Sequence, residues 1–141
     1  MSMPRTIFPQ RRHFSQGQAL VEFALILPVL MLILLGVFDL GRAIYAQTAV
    51  SNTAREGARR AIAGGTSSDI QTRIQQTAVG IYSTNGSVFS YQVVPAPPIS
   101  YGATVTVTVT YTFSAATPFI GQYLGSQGQI VINSQASMIS Q

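Results

Sequence analysis

Twenty residues from Ala19 to Phe38 (ALVEFALILPVLMLILLGVF) carry a single charge, Glu22. A helix of that length rises about 30 Å, the thickness of a bilayer's hydrocarbon core. A buried helix of a soluble domain rarely stays apolar all round for so long, so the run reads as a membrane span. A cleaved secretory signal is the competing reading. Its apolar stretch is normally about 7–15 residues and closes on an A-x-A-like site. This run is longer, GVFDLGRA after it offers no such site, and the segment is expected to be retained. Pro28 and Gly36 lie inside the run, where membrane helices tolerate both.

The flanks set the expected orientation. Arg5, Arg11 and Arg12 precede the run with no acid among them, whereas Arg42 follows it closely in the company of Asp39. The positive-inside rule places the N-terminus in the cytoplasm and the rest of the chain outside. All eight basic residues are arginine, and there is no lysine or cysteine. A P-loop lysine, a Schiff-base lysine, a thiol nucleophile, a disulfide and a cysteine zinc site are therefore excluded. His13, the one histidine, lies ahead of the span and cannot by itself supply a metal cluster or a Ser-His-Asp triad. No catalytic, metal or cofactor residue is expected, and the chain reads as a non-enzyme with no cofactor. The basic excess points to no nucleic acid either. Only 9% of residues are charged, and none from residue 74 to 141 is, whereas nucleic-acid surfaces need a dense basic patch.

Glu22 is the costly residue. An ionised carboxylate within the bilayer costs several kcal/mol unless it is partnered, neutral or close to the interface. Immediately upstream stand Gly17, Gln18, Ala19, Leu20 and Val21, and Phe23 follows. A basic leader ending in glycine, then four residues, then glutamate and an aromatic resembles the type IV prepilin processing signal. The wider stretches GQALVEFALILPVLMLILLGVFDLGRA (Gly17–Ala43) and AVSNTAREGARRA (Ala49–Ala61) resemble the TadE-like pseudopilins of tight-adherence (Flp) pilus systems.

The resemblance implies a precursor cut after Gly17 on the cytoplasmic face by a prepilin peptidase, leaving Gln18 as the new N-terminus. Many pilins begin with an aromatic at that point, which Gln18 is not. Glu22, with Phe23 beside it, would attract the free α-amine of a neighbouring subunit, an attraction that is strong in a low-dielectric helix bundle. The implied partners are the peptidase, other pilins or pseudopilins, the pilus platform membrane protein and the bilayer. The implied place is the bacterial inner membrane, with incorporation into a surface pilus for attachment or secretion. The alternative is an uncleaved single-pass protein whose outer domain binds a ligand or partner.

Beyond the span the helical pattern continues to about Ala63. Ala43, Ala46, Val50, Ala54, Gly57 and Ala61 recur at three- and four-residue steps, a narrow stripe of small residues suited to close packing. Gly64-Gly65 ends the helix. Glu56 has Arg59 and Arg60 at i+3 and i+4, with Arg55 beside it, and Asp39 has Arg42 at i+3. These read as helix-surface charge pairs or as intersubunit contacts.

Ser67 or Ser68 can cap a short second helix with Asp69 in its first turn and Ile70, Ile74, Ala78 and Ile81 on one face. Asn85-Gly86 is a hairpin-type turn pair. Three strands are expected: Val88–Val94, Ala103–Phe113 with valines alternating against a threonine ladder, and Gln129–Met138, with Gly121–Gly128 as loop. The expected fold is α+β: a long N-terminal, pilin-like transmembrane helix, a short second helix and a small antiparallel sheet. The expected division is a basic leader (1–17), a span extending into a stalk (18–63) and an extracytoplasmic head (64–141).

Overall fold

The computed structural model describes residues 14–86, 88–117 and 129–140. Helix α1 runs Phe14–Ile62 and α2 Ser67–Thr77; strands β1 (Phe89–Val94), β2 (Thr104–Ser114) and β3 (Gln129–Ile139) follow. The strands form one antiparallel sheet in the order β1-β2-β3. The α+β architecture expected from the sequence is the one observed.

Helix α1 is two things in one element. From Gly17 to Phe38 its side chains are exposed except for half-buried Gly36, and Pro28 sits inside without ending it. From Asp39 onward the small-residue stripe goes under the sheet, and Ala46, Val50, Ala54, Gly57 and Ala61 are all buried. Ala58 and Thr53, which lie off that stripe, are buried too. Thr53 satisfies its hydroxyl by donating to the Ala49 carbonyl one turn back, at 2.7 Å. Small side chains let three layers meet: a Cβ placed on Gly57 would stand 3.2 Å from both Ile74 Cγ1 of α2 and Val107 Cγ1 of β2.

The corner between the helices is built from consecutive residues. Gly64 has φ +77°, the left-handed conformation glycine adopts without a Cβ clash. The Gly65 N–H donates to Arg60 C=O at 3.1 Å and the Gly64 N–H to Ala61 C=O at 3.2 Å, together a Schellman ending. The next residue, Thr66, is the cap of α2, so the cap is neither Ser67 nor Ser68. Its Oγ1 accepts from the Asp69 N–H while Asp69 Oδ2 accepts from the Thr66 N–H, closing a capping box. The threonine wins because Asp69 stands three residues after it, at the position a capping box requires.

The sheet reads as its sequence alternates. Val105, Val107, Val109 and Phe113 of β2 face inward and are buried, and the threonines face out. Ile70, Ile74, Ala78 and Ile81 fill the space beside α1, and Phe89 and Ile132 close the core. Asn85-Gly86 does not make a hairpin. It lies between α2 and β1, where the Asn85 carbonyl accepts from the Val88 and Phe89 N–H groups; the strand that pairs with β1 comes later in the chain. The loop expected at Gly121–Gly128 lies outside the described residues.

Candidate functional site

The N-terminal segment presents its chemistry on an unburied helix. Gly17, Gln18, Glu22 and Phe23 are all exposed, and α1 begins ahead of them at Phe14. A Cβ on Gly17 would meet nothing within 4 Å, so no contact among the described residues calls for glycine there. Among the described residues Glu22 has no charged partner, and its side chain is exposed.

One residue beyond the apolar run, the helix meets the head. Asp39 is 4% exposed, the most buried carboxylate among the described residues. Its Oδ1 accepts from the Ala116 N–H at 3.0 Å and its Oδ2 from the Thr117 N–H at 2.9 Å, joining positions 77 and 78 residues apart. Arg42 adds a 3.3 Å ion pair one turn along and lays its guanidinium over Phe113 (5.3 Å) and Phe38 (6.0 Å). The Thr117 side chain, the Ala116 amide, the Thr117 amide and Arg42 hold the Asp39 carboxyl down at about 2, against the opposing effect of burial. Thr117 Oγ1 has no hydrogen-bond partner among the described residues, so its contribution is proximity, and the two amides make the directional contacts. The expected i+3 pair is present, and it is the smaller part of what Asp39 does.

The second charge cluster also departs from a purely intrahelical arrangement. Glu56 Oε2 accepts from Arg73 of α2, from Nη2 at 2.8 Å and Nε at 3.3 Å. Arg59 lies at a looser 3.9 Å, and Arg60 turns instead to Asp69 at 3.2 Å. Arg73, in hydrogen-bond contact, lowers the Glu56 pKa most. Arg55 is exposed and enters none of the described ion pairs. These charges therefore bind α2 to the stalk, and Tyr45 adds a tie by donating to the Val79 carbonyl at 2.9 Å. Among the described residues no three metal-ligating side chains come together.

The family model described as TadE-like protein matches residues 17–59. Over that segment the chain is similar to TadE-like proteins. The match begins at Gly17 and takes in Glu22, Asp39, Arg42, Arg55, Glu56 and Arg59, and it stops before the α1–α2 corner. It covers the TadE-like helix and not the head. Comparison with curated proteins and with solved structures finds no match. The similarity to TadE-like proteins over this segment supports a role as a minor pilin associated with a tight-adherence pilus, with other pilins as partners. The one long apolar helix near the N-terminus suggests single-pass membrane anchoring.

Proposed function

We propose that this TadE-like chain is a non-enzymatic minor pilin or pseudopilin. A prepilin peptidase cuts it after Gly17 on the cytoplasmic face, and it then joins other pilins through its span under a platform membrane protein. The leader stays in the cytoplasm and the head stands outside the inner membrane, with the pilus serving attachment or secretion.

The observation that carries the reading is the arrangement at the start of α1. A glycine, a residue that costs a helix about 0.5–1 kcal/mol relative to alanine, stands unhindered at the end of a basic leader, five residues ahead of a carboxylate that pairs with no charge among the described residues. Gly41 is equally unhindered, so openness alone selects nothing; the flanking leader and Glu22 single out Gly17. A free α-amine at Gln18 of one subunit and Glu22 of its neighbour would neutralise one another where water is scarce, which sets the stagger of adjacent helices. Phe23 would pack beside them.

The test uses two variants in cells with the full machinery. Gly17→Val is expected to leave the chain at full length. Glu22→Gln is expected to be cut normally and to lose incorporation into assembled fibres. Normal pilus output from both would overturn the reading and leave a simple anchored surface protein.

A further inference from the structure

Among the described residues nothing pairs with one long edge of the sheet. In an antiparallel ladder, successive residues turn their N–H and C=O groups to alternate sides. The Thr112 N–H donates to Val88 C=O at 2.7 Å and the Ser140 N–H to Ala103 C=O at 2.9 Å. With the observed register, the even-numbered residues of β2 bond to β1 and the odd-numbered ones to β3. On β3, therefore, Val131, Asn133, Gln135, Ser137 and Ile139 aim their backbone groups away from the sheet. On β1, Tyr91 and Val93 do the same. None of these outward groups has a backbone partner among the described residues.

Proteins usually blunt such edges with charges, prolines, bulges or a covering element. β3 has no charge and no proline, and its register runs unbroken from Thr104↔Ile139 to Ser114↔Gln129. Its inward face is also incompletely covered: Ile130, Ala136 and Met138 are half-buried where the facing Phe113, Val107 and Val105 of β2 are buried. Val131 and Ile139 are 62% and 60% exposed on the outer face.

We propose that the β3 edge pairs with the β1 edge of a second copy of this chain, extending the sheet from subunit to subunit. The anchor selects this occupant. Copies held in one bilayer by Ala19–Phe38 point the same way. An antiparallel β3–β3 contact needs a two-fold axis normal to the sheet, and because α1 packs along the sheet, that axis would point the two spans in opposite directions. A copy related by rotation about the membrane normal presents its other edge instead. β1 and β3 both run opposite to β2, so the new contact is parallel. Neither strand carries a charge to oppose it. The inference rests on membrane anchoring and not on cleavage at Gly17.

The chain contains no cysteine, which makes the test clean. Full-length protein is expressed in membranes of a host without a prepilin peptidase, so that failure speaks only to the edge. Asn133→Cys, Gln135→Cys and Ser137→Cys are each co-expressed with a differently tagged Gln92→Cys and oxidised. The expected result is a mixed-tag disulfide dimer that is strongest at one β3 position. In the cysteine variants at 133 and 137, adding Gln135→Pro, which removes an outward N–H and no ladder bond, is expected to reduce that product at least tenfold with the melting temperature unchanged. In the cysteine variants at 135 and 137, Asn133→Lys is expected to do the same by placing a charge on the edge. Monomer throughout, β3–β3 disulfides, adducts with a different protein, or a cross-link indifferent to both edge variants would each overturn the proposal.

Discussion

At the scale of single residues, Asp39 makes the most consequential contact. It sits where the apolar run ends and receives two amides from the segment after β2. Its removal leaves two donors unpaired, and a hydrogen bond to a charged group contributes about 1.5–3 kcal/mol. Asp39→Ala is expected to destabilise the head by about that much, and Asp39→Asn by less because an acceptor remains; thermal unfolding in lipid nanodiscs measures both. The pH dependence follows from the lowered carboxyl. With the ordinary value at 3.8 and the folded value at about 2, the stabilisation is complete above about pH 4 and fades as pH falls toward 2. Exchange protection of the Ala116 and Thr117 amides is expected to follow that window in the wild type and not in Asp39→Asn. Nothing local in the sequence discloses this role. Asp39 and Arg42 stand at the i+3 spacing of an ordinary helix pair, and the amides that matter lie 77 and 78 residues away. Gly57 is likewise constrained by layers that only the fold brings together: Gly57→Leu would overpack Ile74 and Val107, at a cost of about 1–3 kcal/mol in the same melts.

At the scale of elements, patterns with a strict period were legible and contacts between elements were not. Valine alternating with threonine gave β2, the small-residue stripe gave the buried face of α1, and the paired glycines gave its end. The cap of α2 is not legible from spacing alone because several hydroxyl residues stand together there, and only the reciprocal bond with Asp69 distinguishes Thr66. Thr66→Ala is expected to cost about 1 kcal/mol, with the helical signal of α2 lost first in a denaturant titration. The spacing of Glu56 reads as a helix-surface pair or an intersubunit contact, and its shorter contact is to Arg73 across the corner. Both side chains are partly exposed, so Glu56→Gln is expected to cost about 0.2–1 kcal/mol at low salt and less at high salt.

At the scale of the whole molecule, one continuous α1 carries a long apolar half and a half that packs on a small sheet. The exposed half of that helix needs lipid or other spans around it, and the buried half supports a head with few residues to make a core of its own. Orientation is checked by single-cysteine labelling of the intact chain. In a host without a prepilin peptidase, Ser100→Cys, beside Tyr101, which is 87% exposed, is expected to react with an impermeant maleimide from outside the inner membrane, and Ser2→Cys only after the membrane is opened. The processing account turns on one bond. The intact mass and N-terminal residue of the protein extracted from its native membrane measure it directly: the account predicts a chain that begins at Gln18, and a chain that still begins at or near Met1 in cells that contain the peptidase would contradict it.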